Sequence, residues 1–134
     1  MTQSFIQAPI PCVVVVEDDV SILELLRELL TGEGLQVITL VHPGLMAKLD
    51  RERQIDVFLI DMMLPGETGL DLATRLRAGR FAGTPMIALS ASQTLLHAAR
   101  ASGLFQDAVA KPFDVLQLLD TIKQHAEQSC HVAV

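Results

Sequence analysis

The sequence has few of the features that secreted, membrane-spanning or disulfide-stabilised proteins depend on. Its two cysteines, Cys12 and Cys130, lie near opposite ends and match no metal-binding or redox spacing, so nothing requires an oxidising compartment. No apolar run approaches the ~20 residues that span a bilayer. The first residues, MTQSFIQAPIP, carry no Lys or Arg ahead of their apolar residues, which argues against a secretory signal. We therefore expect a soluble, cytoplasmic protein.

Basic residues are also scarce relative to acidic ones. Ten Lys and Arg against 16 Asp and Glu give a formal net charge of -6. Nucleic acids and anionic membranes bind basic surfaces, so we expect this domain to contact neither directly. No Walker phosphate loop, GxGxxG or HExxH motif occurs, which leaves nucleotide binding and zinc hydrolysis without support. Half of the 134 residues are apolar, enough to bury the core of one domain.

Short apolar runs alternate with amphipathic segments along most of the chain. The runs are apolar on both faces, which predicts buried strands of a parallel sheet, at residues 12–16, 35–40, 56–60, 85–89 and, more weakly, 107–110. Helical periodicity predicts helices at residues 21–30, 44–53, 69–79, 93–103 and 114–128. Five alternations of strand and helix predict a doubly wound α/β domain over residues 11–128, with an irregular lead-in (1–10) and a short tail (129–134).

Ligands of such sheets bind beyond the carboxyl ends of the strands, and polar residues follow four of the predicted strands there. They are Glu17, Asp18 and Asp19, then Asp61, then Ser90, then Lys111. Carboxylates held ~4 Å apart at an effective dielectric of ~20 cost about 4 kcal/mol per pair, which a hard divalent cation such as Mg²⁺ removes. Acids, a hydroxyl and a lysine together suit a carboxylate nucleophile that accepts a phosphoryl group.

Each of these residues also has an ordinary structural explanation. Asp19 directly precedes a helix, so a helix N-cap is its simpler role, and Ser90 could cap the fourth helix. Asp61 before a Pro-Gly turn could be turn chemistry, and Lys111 could be a solvated charge. Their joint occurrence at four strand ends is what favours a site.

Other polar or sulfur-containing residues have no such arrangement. The four histidines are scattered along the chain and are interpreted as surface or loop residues: His42, His97, His125 and His131. Met62 and Met63 are interpreted as turn and packing residues rather than as a soft-metal site.

Four segments occur in the order and spacing typical of a response-regulator receiver domain of two-component signalling. They are VVVVEDD (13–19), LIDMMLPGETG (59–69), ALSAS (88–92) and AKPF (110–113). The chain resembles this family over roughly residues 10–125. The resemblance implies a flavodoxin-like (βα)5 sandwich with a five-stranded parallel sheet in the order 2-1-3-4-5.

The resemblance also implies roles for the site residues. Asp61 would be the phosphoacceptor, which takes a phosphoryl group from a phosphohistidine of a sensor histidine kinase or histidine phosphotransfer protein. Asp18, Asp61 and the backbone carbonyl of Met63 would bind Mg²⁺ directly, with Glu17 contributing through water.

For the phosphoryl group, Ser90 would donate a hydrogen bond to one oxygen and Lys111 would pair with another. The Lys111–Pro112 peptide would be cis, as in many relatives. Such a domain is a signalling phosphoacceptor rather than an enzyme, with only self-phosphorylation and slow autodephosphorylation.

One position departs from the family pattern. Receivers usually have Tyr or Phe three residues before the lysine, where this chain has Ala108. Phe105 is not expected to substitute, because a separation of three in a strand places it on the opposite face. The departure leaves open a pseudo-receiver that binds partners without phosphorylation. A phosphotransferase or phosphatase with an aspartyl intermediate is a third hypothesis, but Met63 stands where such enzymes carry a second acid.

The output of the domain is not encoded in these motifs. We expect either a receiver that stands alone or one that continues into another module beyond Val134, with an unknown output partner or output domain. The face formed by the fourth helix, the fifth strand and the fifth helix is a candidate homodimer surface.

Overall fold

A computed structural model describes residues 10–49 and 51–130 of the chain. Most of the predicted lead-in and tail, including His131, lies outside these described residues. Within them, strands alternate with helices, and the helices agree with the prediction except for the second. None of the described helices could span a bilayer.

The centre of the fold is a parallel sheet of five strands. In chain order its strands are β1 (Cys12–Val16), β2 (Gln36–Leu40), β3 (Val57–Asp61), β6 (Met86–Ser90) and β7 (Asp107–Ala110). A separate two-stranded hairpin, β4 (Met63–Leu64) and β5 (Glu67–Thr68), follows β3. The strands of the large sheet lie in the order β2-β1-β3-β6-β7. Because β4 and β5 belong to the hairpin, β6 and β7 are the fourth and fifth strands of this sheet. The predicted order 2-1-3-4-5 and the flavodoxin-like fold are therefore confirmed. Every predicted strand boundary is within one residue of the observed one.

Helices cover both faces of this sheet. They are α1 (Val20–Gly32), α2 (Gly69–Arg77), α3 (Gln93–Ser102) and α4 (Val115–Cys130). Buried residues of α1 and α4 share one core cluster, and those of α2 and α3 share the other. Strand β1 is the clearest example of why the strands are apolar throughout: Val13 and Val15 belong to the first cluster and Val14 and Val16 to the second. All four valines are fully buried.

The predicted helix at residues 44–53 is wrong. The chain instead forms a short 3-10 helix at Pro43–Lys48, followed by Leu49 in an extended conformation. Beyond Leu49 the segment carries only polar and charged residues up to Gln54, so a longer helix would have no apolar face to bury. His42 caps this short helix, because its Nδ1 accepts a hydrogen bond from the Gly44 amide at 2.9 Å.

Candidate functional site

The carboxyl ends of β1, β3, β6 and β7 meet at one pocket of about 500 Å³. Its lining contains every polar residue that the sequence predicted there: Glu17, Asp18, Asp19, Asp61, Ser90 and Lys111. The pairing of the strands explains this convergence, because Val16 lies beside Ile60, Asp61 beside Leu89, and Ser90 beside Ala110. Residues far apart in the chain therefore leave the sheet at neighbouring points.

Three carboxylates form the acidic part of the pocket. Oxygens of Glu17, Asp18 and Asp61 all lie within 4.8 Å of one another. Glu17 and Asp61 are buried, at 0% and 5% exposure, whereas Asp18 is exposed to solvent. The potential ligands are all hard oxygen atoms, with no imidazole or thiolate among them, and this set fits a magnesium-type cation rather than a soft metal.

The ammonium group of Lys111 balances two of these charges. Its Nζ lies 2.6 Å from Oε1 of Glu17 and 3.1 Å from Oδ2 of Asp61. The lysine reaches the pocket because it directly follows β7, and its amide donates to the Ser90 carbonyl at 2.9 Å. The interpretation of Lys111 as a solvated charge is therefore wrong. Its closer pairing with Glu17 was not predicted, since no residue pattern encodes a contact across 94 positions.

Burial changes the proton affinity of both partners. The pKa of Glu17 is raised to about 7, chiefly because burial desolvates the carboxylate; the neighbouring Asp61 adds to the rise and Lys111 opposes it. Burial alone would lower the pKa of Lys111, but its hydrogen bonds to Glu17 and Asp61 outweigh that effect and the pKa is raised. The lysine is therefore a permanent cation, and Glu17 is the group whose charge changes near neutral pH.

Asp19 has the structural role that the sequence favoured. Its Oδ1 accepts hydrogen bonds from the amides of Ser21 at 2.9 Å and Ile22 at 3.3 Å, so it is the N-cap of α1. Asp19 borders the pocket but is exposed, and it is not among the three clustered carboxylates. The three consecutive acids thus divide into two pocket residues and one helix cap.

The hairpin β4–β5 shapes the loop that follows Asp61. The Met63 amide donates to Oδ1 of Asp61 at 3.0 Å, while the Met63 side chain is 64% exposed beside the pocket. Pro65 and Gly66 form the turn, and Gly66 has a φ of 83°, which a residue with a side chain rarely adopts. The hairpin then packs back tightly: a Cβ on Gly69 would lie 2.6 Å from the Asp61 carbonyl oxygen. The sequence indicated a turn here but not the hairpin.

Ser90 is buried in the pocket rather than capping a helix. It is 1% exposed, and its Oγ accepts a hydrogen bond from the Ser92 amide at 3.0 Å. Ser92 is the residue that caps α3, through its hydroxyl and the Leu95 amide. Ser90 therefore presents a hydroxyl close to the acids, and the alternative that it is a helix cap is wrong.

The positions of Ala108 and Phe105 differ from the prediction that the two residues lie on opposite faces of the sheet. Both belong to the core cluster on the α2 and α3 side, so Phe105 does not lie on the opposite face. It precedes β7, and the next residue, Gln106, bonds to Met86 at the start of β6. Phe105 is therefore at the amino end of the sheet, far along the strand direction from Ser90. We therefore still expect that Phe105 does not replace an aromatic at position 108, but because of its place along the strand and not because of its face.

Other residues singled out in the sequence lie at or outside the edge of the site. The Lys111–Pro112 peptide is cis, as the resemblance implied. Cys12 is a buried free thiol in β1, and burial raises its pKa. His42 and His97 are exposed, whereas His125 is half-buried and lies 3.6 Å from a carboxylate oxygen of Asp107. None of the three is in the pocket.

Comparison with known proteins identifies the family. The chain belongs to the response regulator receiver domain family, which it matches over residues 13–123. It is 33% identical over 107 residues to the uncharacterized transcriptional regulatory protein YbdJ of Bacillus subtilis, covering 80% of this chain and 47% of that protein. It is also 33% identical over 113 residues to the DNA-binding response regulator MtrA of Mycolicibacterium smegmatis, covering 83% and 48%. The chain spans about half the length of these curated relatives.

Solved structures show the same fold. The receiver domain of the Francisella response regulator 1452 is 26% identical, with a TM-score of 0.78 over 89% of this chain and 98% of that one. The response regulator TrrA of Thermotoga maritima, in complex with Mg²⁺ and BeF, is 26% identical, with a TM-score of 0.76 over 87% and 99%. The fold and the family place this chain among the receiver domains of two-component signalling.

Proposed function

We propose that Asp61 is a phosphoacceptor and that its modification switches the binding of an output partner. The observation that carries this proposal is the bridging position of Lys111, whose ammonium lies within 3.1 Å of a buried Asp61 carboxylate in a pocket that also holds Asp18 and Ser90. A carboxylate kept close to a fixed cation is suited to carry added negative charge.

In the proposed reaction, an Asp61 carboxylate oxygen attacks the phosphorus of a phosphohistidine on a sensor histidine kinase or phosphotransfer protein. A P–O bond forms to Asp61 as the P–N bond to the imidazole breaks, and the imidazole takes up a proton. Lys111 contacts only one of the two Asp61 carboxylate oxygens, Oδ2. The lysine can then pair with a phosphoryl oxygen, and the Ser90 hydroxyl can donate to another.

The acids suit a Mg²⁺ site. Asp18, Asp61 and the Met63 carbonyl would hold the ion, with Glu17 contributing through water. When bound, Mg²⁺ would neutralise the charge that collects on the phosphoryl oxygens. Glu17 is buried and pairs with Lys111 through Oε1, so its other oxygen, Oε2, is the one that would contribute through water. We further propose that the domain acts as a signalling phosphoacceptor, with only self-phosphorylation and slow autodephosphorylation of its own.

The output is proposed to lie outside this domain. The relative MtrA is named as a DNA-binding response regulator, and this chain covers 48% of it. The acidic charge of the present chain, -6, argues that nucleic-acid binding, if it occurs, belongs to another module.

Incubation with acetyl phosphate and Mg²⁺, followed by a phosphate-affinity gel, tests the proposal. We expect a shifted band for the wild type and none for Asp61→Asn, which keeps the size of the side chain but removes its charge. EDTA should abolish the shift. A wild type that neither shifts nor forms a beryllofluoride complex would exclude the phosphoacceptor function.

A pseudo-receiver that binds partners without phosphorylation is the second candidate, and Ala108 is the observation that favours it. A small residue at this position removes the aromatic that receivers usually carry there. The variant Ala108→Tyr tests the role of this position. If the domain is a phosphorylated switch, we expect the variant to change partner affinity more than the rate of phosphorylation. Equal effects on both would count against a signalling role for this position.

A further inference from the structure

The edge strand β7 has a neighbouring strand, β6, on one side only within the described part of the chain. At Ala108 both polar groups of its backbone are bound by side chains. The Ala108 N–H donates to Oδ1 of Asp107 at 2.9 Å, and its carbonyl accepts from the guanidinium of Arg100 at 3.2 Å. Arg100 belongs to α3, so this bond ties the helix directly to the edge of the sheet.

Helix α4 contacts the same short segment from the other side of the sheet. Nε2 of His125 lies 3.6 Å from Oδ2 of Asp107. Side chains from α3 and α4 therefore reach two consecutive residues of β7. We call Arg100, Asp107, Ala108 and His125 the β7 clasp.

Few side chains of helix α3 are fully buried in the core. Of its ten residues only Leu96 and Ala99 are buried, whereas the buried residues of α4 include Leu118, Leu119 and Ile122. The partly buried Leu95 packs against the same core cluster. Hydrophobic stabilisation scales with the apolar area removed from water, so this smaller set anchors α3 less firmly than the buried residues of α4 anchor that helix. The bond from Arg100 adds a polar contact to this apolar packing, and elements with few buried contacts are the ones that move.

The opposite end of α3 begins at the pocket of Asp61. Ser90 lines that pocket, its Oγ accepts from the Ser92 amide, and Ser92 caps the helix. A displacement of the Ser90 hydroxyl toward a ligand on Asp61 would therefore act on the first turn of α3. Ala108 has only a methyl group, so no larger side chain at that position blocks a small shift of the helix across β7.

We propose that Arg100 is a positioning residue that holds α3 against β7, and that its bond to the Ala108 carbonyl is released when an anion on Asp61 draws Ser90 toward it. The first half concerns the chain without ligand. The second half rests on the proposed phosphoacceptor function. Movement of α3 would then be controlled by a polar contact at the edge of the sheet rather than by repacking of a bulky core residue.

Amide hydrogen exchange of the full chain, measured by NMR without ligand, tests the first half. We expect Arg100→Ala to exchange about fivefold to tenfold faster than wild type at the amides of Leu96–Ser102, as loss of one partly exposed hydrogen bond predicts. Arg75→Ala is the matched control, because Arg75 is a helical arginine whose ion pair is with Glu67 on the hairpin. Arg100→Lys, which can donate one bond, should be intermediate. Equal exchange in Arg100→Ala and wild type would overturn the holding role, as would an equal effect of Arg75→Ala.

Adding beryllofluoride and Mg²⁺ tests the second half. In the wild type we expect exchange in α3 to rise on formation of the complex, and in Arg100→Ala to rise much less because the bond is already absent. A complex that perturbs the Asp61 and Ser90 amides but leaves wild-type α3 exchange unchanged would overturn the release step alone. No beryllofluoride-dependent change anywhere would overturn both the phosphoacceptor function and the release step, while the ligand-free comparison would still decide the role of Arg100.

Discussion

The ammonium of Lys111 lies closer to Glu17 than to Asp61, at 2.6 Å against 3.1 Å. Glu17 is fully buried, so its carboxylate is shielded from bulk water and Lys111 is its main counter-ion. In the ligand-free state the lysine is thus shared between two acids. Any ligand that needs the lysine or the acids must compete with this arrangement, which makes Glu17 as important to the site as the residues expected to touch a phosphoryl group.

Glu17 predicts a dependence of stability on pH. Because its pKa rises from an ordinary 4.5 to about 7, the folded protein binds this proton more tightly than the unfolded chain does. Its effect therefore favours folding most below pH 4.5 and weakens as the pH rises to 7, by up to about 3 kcal/mol. Urea unfolding in EDTA, measured at several pH values, should show this loss between about pH 4.5 and 7 and no further change from Glu17 well above pH 7.

The neutral variant Glu17→Gln isolates that contribution from other titrating groups. A glutamine side chain has no charge to bury, so the stability of the variant relative to wild type should increase steadily across the same pH range. Addition of Mg²⁺ should stabilise the wild type more than the variant at the upper end. A difference between the two proteins that stays constant with pH would contradict the assignment of the raised pKa to Glu17.

The backbone around Asp61 leaves no room for a side chain at position 69. A Cβ there would lie 2.6 Å from the Asp61 carbonyl oxygen and 2.8 Å from the Met62 Cα, and backbone atoms cannot yield cheaply. We expect Gly69→Ala to destabilise the protein by about 1–3 kcal/mol and to weaken beryllofluoride binding, because the Asp61 backbone must shift. Gly79→Ala is the control: its nearest contact would be 3.9 Å away, so it should be neutral or slightly stabilising. Similar denaturation midpoints for the two variants would argue against the close approach.

Replacing Arg77, which lies far from the pocket, should greatly lower the free energy of unfolding. Its guanidinium donates to five groups in the segments that precede β6 and β7, namely the carbonyls of Phe81, Ala82, Thr84 and Leu104 and the side-chain oxygen of Gln106. Removing it would leave several carbonyls without a donor, so Arg77→Ala should cost about 3 kcal/mol or more.

Arg77→Lys should recover only part of that stability, since an ammonium cannot match the planar fork of donors. Arg75→Ala, two residues away and 58% exposed at its side chain, should change the free energy of unfolding by well under about 1 kcal/mol. Chemical unfolding of the three variants provides the test, and equal costs for Arg77→Ala and Arg75→Ala would be inconsistent with the observed bonds.

Substitutions of the adjacent acids Asp18 and Asp19 should have different effects, one on Mg²⁺ binding and the other on the free energy of unfolding. Asp18 lies in the carboxylate cluster, so Asp18→Ala should abolish measurable Mg²⁺ binding in calorimetry with little loss of stability. Asp19 caps α1, so Asp19→Ala should retain Mg²⁺ binding and cost about 1 kcal/mol of unfolding free energy. The reverse pattern would mean that the two acids had been assigned the wrong roles.

The strands and the site could be predicted from the sequence because their signals are local. A run such as VVVV, buried on both faces, has few alternatives to an inner parallel strand, and the topology then brings the strand ends together. The helix predicted at 44–53 failed because periodicity over Leu45, Met46 and Leu49 ends where the charged residues begin. A pattern of three apolar residues cannot distinguish one turn of 3-10 helix from the start of an α-helix.

Contacts between distant side chains were beyond prediction. The pairing of Glu17 with Lys111 depends on which acid extends furthest into the pocket, and the bond of Arg100 to a backbone carbonyl depends on how closely α3 approaches β7. The position of Phe105 was inferred from strand alternation, but that residue lies before the strand, where alternation does not apply.

Whether Asp61 itself forms an acyl phosphate can be determined by chemical trapping. The protein is treated with acetyl phosphate and Mg²⁺, reduced with borohydride, and digested for mass spectrometry. Reduction converts a phosphorylated aspartate to homoserine, so we expect homoserine at position 61 only when both acetyl phosphate and Mg²⁺ are present. Unmodified Asp61 under those conditions, or homoserine at Asp18 or another acid instead, would contradict this expectation.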